Sequence, residues 1–248
     1  MNTPTPIHRQ NRVLELLKLI RPWTMRRQPK IRLGNAYDGG YVVPAIALEA
    51  DGVMSVGVGP DVSFDFALAQ RGAKIVQFDH TVEKPPTDHP AFSFFKLGWG
   101  TRTEGDLLSF DDMLAKLDAL GSKRPLLKFD IEGAEYDVFS TVTPEHLARF
   151  EVICCELHDF EKLGDEAFFA QAQHLLKMLN AGHVPVHLHA NNYQSLLLVE
   201  GVPVPRVIEL CFLRRDLDSF PNFSVDPIPG PLDRPNHPMR PDLCLNPF

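Results

Sequence analysis

Several absences narrow the possibilities first. No segment approaches the roughly 18 consecutive apolar residues of a membrane-spanning helix. The apolar stretch Val13–Ile20 is broken by Glu15 and Lys18, so it does not resemble the apolar region of a signal peptide. Cysteines are few, four in 248 residues, and Cys154, Cys155, Cys211 and Cys244 show no CxxC spacing, which removes the usual sign of a zinc or dithiol site. Cys154 and Cys155 fall inside an apolar run and read as buried free thiols, so a reduced, cytoplasmic protein is expected. A basic field is also missing. The net charge is −7, which argues against nucleic acid as a partner. The one basic run, Arg21 to Arg27 with Lys30, reads as a solvated linker face.

What is present is 44% hydrophobic side chains in a chain long enough to bury a large core. Ile7 to Ile20 has helical apolar spacing and ends at the Arg21-Pro22 step. Ile31 to Val43 reads as two extended pieces around Asp38-Gly39-Gly40. Strands are then expected at Gly52–Gly57, Lys74–Asp79, Ala91–Leu97, Pro125–Asp130, Phe150–Leu157, Val184–Leu188 and Val207–Leu213. Helices are expected at Val62–Gln70, from a Ser109–Asp112 capping box to about Leu120, and from about Asp159 to Asn180. This alternation predicts an α/β fold, a mostly parallel sheet covered by helices on both faces. Eight prolines between Pro221 and Pro247 exclude regular structure there, while Phe220, Phe223, Leu243 and Phe248 favour a tail that wraps the domain. The expected organisation is a helix and linker over residues 1–30, an α/β domain over 31–215 and a proline-rich wrap over 216–248.

In an open α/β sheet, ligands bind outside the carboxyl ends of the strands. The first such exit, Val56-Gly57-Val58-Gly59-Pro60, lets a ligand approach the backbone, although a plain tight turn is a competing reading. A dinucleotide fingerprint would carry a third glycine where this chain has Val62, and Pro60 removes an amide. Asp79, about 20 residues further on, ends the next strand, where an acid can accept from both ribose hydroxyls of a nucleoside. The pair suits S-adenosylmethionine or NAD, and the absent glycine favours the former. Gly57, Val58, Gly59, Asp79 and His80 are the cofactor candidates, joined by Trp99 as an adenine-stacking or simply packing residue.

The sharpest motif is Lys128-Phe-Asp130-Ile-Glu132-Gly133-Ala134-Glu135. Its three carboxylates repel one another unless a cation, a substrate hydroxyl or Lys128 offsets them. Glu135 reads as a favourable first-turn helix acid; Asp130 and Glu132 read as site residues. The octapeptide resembles the K-x-D-x-E-G-A-E signature of FkbM-type methyltransferases, and Asp38-Gly-Gly-Tyr41 and His187-Leu-His189-Ala-Asn191-Asn192-Tyr193 are similar to segments in a subset of that family. The match runs from roughly Arg32 to Arg214. It implies a Rossmann-like class I methyltransferase fold, S-adenosylmethionine as cofactor, and O-methylation of a hydroxyl, commonly on a sugar or natural product.

Three histidines complete the candidate chemistry. His158 ends the fifth strand, and His187 and His189 share one face of the sixth by its period of two. His187 reads as a core residue. Asp130, Glu132, His158 and His189 form a mixed oxygen and nitrogen set able to hold a divalent cation such as Mg. Without a metal, Asp130, His158 and His189 are the catalytic acid/base candidates. Asp38, Tyr41, Glu132, Asn191 and Asn192 are candidates for contacting a small hydroxylated acceptor, with turns as the plainer reading of the asparagines. The competing functions are an NAD(P)-dependent oxidoreductase and a non-catalytic binding protein of the same fold.

Overall fold

The computed structural model describes residues 6–246, so Pro247 and Phe248, which the sequence places in the tail, lie outside the described residues. Seven strands form the central sheet: β1 (Gly52–Val56), β2 (Lys74–Phe78), β3 (Phe92–Phe95), β4 (Pro125–Phe129), β5 (Val152–Leu157), β6 (His183–Ala190) and β7 (Ile208–Arg214). Their order is β3-β2-β1-β4-β5-β7-β6. All neighbours from β3 to β5 are parallel, whereas β7 runs antiparallel to both β5 and β6. The order differs from the 3-2-1-4-5-6 sheet of dinucleotide-binding proteins by this inserted antiparallel strand. The direction of the order reverses between β1 and β4, and that switch point opens a crevice at their carboxyl ends.

The helices are α1 (Pro6–Leu17), α2 (Ser63–Ala69), α3 (Phe110–Asp118), α4 (Glu135–Val138), α5 (Pro144–Ala148) and α6 (Glu166–Gly182). One face of the sheet is packed by α1, α3, α4, α5 and α6 through residues such as Leu16, Met113, Val138, Leu147 and Leu175. The other is packed by α2 and by a hairpin of Lys30–Leu33 and Tyr41–Pro44, through Tyr41, Val43, Phe64 and Leu68. None of the described helices is long and apolar enough to cross a membrane.

Most expected elements fall within a residue or two of their places, and two differ for local reasons. The long helix starts seven residues late because Asp159 takes a left-handed backbone (φ 64°), a short 3-10 turn follows, and Asp165 caps α6 by accepting from the amides of Ala167 and Phe168. At α3, Ser109 accepts from the Asp112 amide, but the reciprocal bond is absent; the Ser109 amide is taken by the Thr103 hydroxyl instead. The box is therefore half formed.

The tail does wrap. Ser224 donates to Pro22 and Thr24 donates to Asn222, so that linker and tail form a short antiparallel bridge at Trp23 and Phe223, and the Trp23 amide in turn reaches the Pro185 carbonyl on the edge strand β6. This covers an edge that would otherwise present unpaired backbone groups. Further along, Ile228 and Leu245 join the same core as α1.

At the switch point Gly57 has φ +76°, and a Cβ there would overlap the Asp130 carbonyl oxygen. Gly59 has φ +57° but open space where its Cβ would lie. Gly57→Ala is therefore expected to lose at least about 2 kcal/mol through overlap added to backbone strain. Gly59→Ala should lose only about 1 kcal/mol. Urea unfolding of the two variants reads the difference, and equal losses would contradict the close approach.

Candidate functional site

The crevice holds a pocket of about 200 Å³ lined by the turn after β1, the exits of β2 and β4, and the Asp38–Tyr41 turn of the hairpin. Its lining includes the acids Asp38, Asp61, Asp65, Asp79, Asp130 and Glu132 against a single lysine, Lys128. Lys128 is buried on β4 and donates to the Gly57 carbonyl (2.6 Å), which ties the glycine turn to the acid-rich strand exit. The turn's other support is Asp79. One carboxylate oxygen accepts from the amides of Val58 and Gly59 (2.9 and 3.0 Å), the other from the Thr81 amide and hydroxyl (2.7 and 2.6 Å). Burial alone would raise the Asp79 pKa, but these hydrogen bonds outweigh it and hold the carboxyl below its usual range. Asp79 thus shapes the turn as well as facing the pocket.

The exit of β4 is bent sharply. Glu132 has φ +56° and Gly133 φ +99°, an uncommon conformation for a residue with a side chain. It turns the Glu132 carboxylate outward towards His158, which follows β5. The His158 Nε2 lies 3.5 Å from Glu132 Oε2, 3.8 Å from Asp130 Oδ1 and 3.8 Å from Glu156 Oε1. Its Nδ1 lies 3.0 Å from Glu135 Oε1. The Tyr136 hydroxyl donates to the His158 carbonyl, fixing the backbone beneath the ring. Burial opposes a positive His158, but the hydrogen bond to Glu135 and the surrounding carboxylates prevail and raise its pKa above 6.5. Burial, with Glu132 and Glu135 nearby, raises Asp130 to about 6 against the opposing pull of Lys128 and His158. One Asp130 oxygen, Oδ1, is buried without a hydrogen-bond partner.

The sequence reading undervalued Glu135. It does stand in the first turn of α4, as expected, but it is also fully buried, holds His158 and takes a longer contact from the Ile131 amide (3.4 Å). The available signal was its spacing from Asp130 within one motif; the pairing with His158, 23 positions away, needed the fold. Glu156 and Glu209 were also missed. Glu156, Glu209 and His189 sit side by side across β5, β7 and β6, a row set by strand register. Burial, followed by repulsion from Asp130 and Glu209, raises the Glu156 pKa well above its usual range.

Of the candidate metal set, the structure brings together Asp130, Glu132 and His158, whose ligand atoms lie within 4.8 Å of one another, but not His189. His189 points to the face covered by the tail. There its Nδ1 meets Glu209 (3.0 Å) and its Nε2 meets Asp242 (3.0 Å), and these two hydrogen bonds overcome burial to raise its pKa to about 10. A ring with both nitrogens so engaged has no nitrogen free to take a proton, so the strand period placed His189 correctly but the tail claims it. His187, as expected, is a buried hydrogen-bonded residue, paired with Asp233 (2.7 Å).

The remaining candidates divide. Asp38 and Tyr41 line the pocket, with burial and nearby acids keeping the Tyr41 phenol protonated. Asn191 donates to Glu156 (2.9 Å) and receives the Tyr193 amide. Asn192 is consumed by the tail, donating towards the carbonyls of His237, Arg240 and Pro241 and accepting from the His237 amide. His80 rests against Gly98, away from the pocket lining. Trp99 does not reach the pocket either. It is buried against Phe110, Phe129 and Phe139, so the stacking role gives way to packing.

A mostly parallel sheet with a glycine turn and an acid-rich crevice at its switch point defines an α/β protein with a candidate ligand site at that crevice. A family model for the methyltransferase FkbM domain matches residues 35–194, and the chain belongs to that family. No curated protein sequence matches the chain. Among solved structures it is similar to the SAM-dependent methyltransferase from Agrobacterium tumefaciens, at 8% identity and a TM-score of 0.32, over 84% of this chain. The chain spans 61% of the length of that protein.

The His189 pair makes a pH prediction. A pKa raised from 6.5 to about 10 contributes stability that is fully present below pH 6.5 and is lost as pH rises through 10. Thermal melts should fall over that window in the wild type and fall less in His189→Gln. At pH 7 the variant should be about 3 kcal/mol less stable, since it leaves buried carboxylates unpaired.

Proposed function

We propose that the protein is an S-adenosylmethionine-dependent O-methyltransferase of Rossmann-like class I architecture, acting on a hydroxyl of a small, sugar- or natural-product-like acceptor. The antiparallel strand inserted between β5 and β6 supports this architecture over a dinucleotide-binding one. The reading rests most on one observation, that buried Glu135 aims His158 Nε2 towards Asp130 and Glu132 beside the glycine turn.

The pocket residues fit the adenosyl cofactor. Gly59 leaves open space at the turn, and Asp79 stands at the β2 exit where an acid meets ribose hydroxyls. The acid-rich lining complements a ligand that carries positive charge. The enclosed volume of about 200 Å³ is below the roughly 300–1,000 Å³ usual for small-molecule sites, and the unfilled side at Gly59 gives a ligand room to extend. When bound, the cofactor supplies an electrophilic methyl group on a positively charged sulfur.

An alcohol is a weak nucleophile at neutral pH, so the residues have two tasks, alignment and proton removal. We assign alignment to Asp38, Tyr41 and Glu132, which rim the pocket. His158 would accept the acceptor's hydroxyl proton at Nε2, while the oxygen would take the methyl group of the cofactor, held at Gly57–Gly59 and Asp79, which leaves as a neutral thioether. Glu135 fixes the ring through Nδ1, and Asp130 and Glu132 stabilise the imidazolium that results. No step passes through a divalent cation such as Mg; its candidate ligands would be Asp130, Glu132 and His158. The catalytic unit is residues 31–215, with 1–30 and 216–248 closing around it, in a cytoplasmic enzyme whose thiols Cys154, Cys155 and Cys211 are free and buried.

Calorimetric titration with S-adenosylmethionine and its demethylated product, with NADH as control, tests the cofactor. Micromolar binding of the adenosyl ligands alone is expected; binding of NADH alone would replace the reading with an oxidoreductase. His158→Ala should lower kcat by about 10²–10⁴-fold. Asp130→Asn should abolish turnover while cofactor affinity stays within a few-fold. His158 is a base only above its raised pKa, so kcat/KM should climb with pH through a midpoint above the usual imidazole range, and Glu135→Gln should move that midpoint down. A midpoint unmoved by Glu135→Gln would remove Glu135 from the mechanism.

A further inference from the structure

Two cavities outside the methyl-transfer pocket meet at Arg21 and Asn246. The larger, about 920 Å³, lies between the linker, the tail and β6, with Val42, Leu188, Ile228 and Leu232 among its walls. The second, about 550 Å³, continues along α1 towards the hairpin of Leu197–Val199 and Val202–Val204. Together they form a long groove with mainly aliphatic and proline walls. It is separate from the methyl-transfer site. Tyr41 faces that pocket, and the next residue on the strand, Val42, faces the groove.

The polar groups of the groove are unevenly served. Arg21 belongs to the basic run that the sequence reads as a solvated linker face, yet its guanidinium lies over the Phe223 ring, 4.8 Å from the centroid, and its Nε is buried without a hydrogen-bond partner. Neither Arg21 nor Lys30 makes a side-chain hydrogen bond or ion pair with a described residue. Burial lowers the Lys30 pKa, against the opposing pull of Asp226 and Asp233. Of these acids, Asp226 lines the cavity, while Asp233 is already committed to His187 and to the Gly230 amide. Arginine presents five donors in a rigid fork, and a buried donor left unserved is costly. A planar carboxylate satisfies such a fork in two parallel hydrogen bonds.

We propose that this groove is a second ligand site, for an elongated amphipathic carboxylate whose acyl chain fills the two aliphatic cavities and whose headgroup is held by Arg21 and Lys30. The combination of a buried, unpartnered Arg21 Nε with long apolar walls selects both ends of such a molecule. A short anion lacks the chain, and a neutral chain lacks the charge. The site does not depend on the methyltransferase reading.

The probe is dodecanoate, titrated below its micelle threshold into the full chain by calorimetry. It is expected to bind saturably and to slow the reaction of Cys244 with a thiol reagent, since Cys244 lines the groove and is the exposed one of the four cysteines. Arg21→Gln and Lys30→Gln are each expected to weaken dodecanoate at least tenfold while leaving S-adenosylmethionine affinity unchanged. Dodecanol and acetate should each bind at least tenfold more weakly than dodecanoate. Arg21 also packs on Phe223, so Lys30→Gln, checked by its thermal melt, tests the charge apart from tail packing. The proposal is overturned by an absence of saturable dodecanoate binding, by unchanged affinity in Lys30→Gln, or by dodecanol or acetate binding as tightly as dodecanoate.

Discussion

The backbone of Gly57 passes so close to the carbonyl of Asp130 that no side chain fits between them, and the site depends on this approach. It joins the carboxyl ends of β1 and β4 at the point where the sheet order reverses. The surrounding bonds all reinforce it. The Gly57 amide reaches back to the Phe78 carbonyl of β2, its carbonyl receives the Lys128 ammonium, and the Asp130 amide donates to Val56. Asp79 then secures the following two amides. A glycine turn that packed looser would leave Asp130 without a fixed position relative to the pocket.

From that anchor the site is governed by a shortage of positive charge. Asp130, Glu132, Glu135, Glu156 and Glu209 converge where few cations are available. Around all of these but the exposed Glu132, burial removes much of the water that would screen them. The chain responds in two ways: His158 and His189 are driven towards the protonated state, while Asp130 and Glu156 are driven towards neutrality. The two histidines nevertheless have different uses. His158 keeps Nε2 directed at the crevice, whereas His189 has acids at both nitrogens and serves as the centre of a clamp between β7 and the tail.

The tail owes its order to polar contacts more than to its prolines. Asp233, Asn236 and Asp242 meet His187, Glu209 and His189, and Asn192 is enclosed by three tail carbonyls. Asn236 also reaches Asp38, so the wrap touches the pocket rim directly. Where the tail instead bridges the linker, it leaves the Arg21 groove beneath it.

The sequence by itself determined the α/β architecture, since periods of two and 3.6 residues and the punctuation of Pro22 and of the Asp38-Gly39-Gly40 turn are local properties that each segment carries alone. It also located the crevice, because a glycine turn and acids at strand ends mark carboxyl exits wherever they occur, and Asp130, Glu132 and His158 were legible on that ground. Only the tertiary structure decided which side chains meet. Glu135 became the partner of His158, His189 and Asn192 were taken by the tail, and Trp99 was drawn into the aromatic core. Those outcomes depend on strand register and on contacts between residues tens to hundreds of positions apart, which no local pattern encodes. The competition among buried charges is likewise a property of the folded interior, where exclusion of water makes each carboxylate depend on its neighbours.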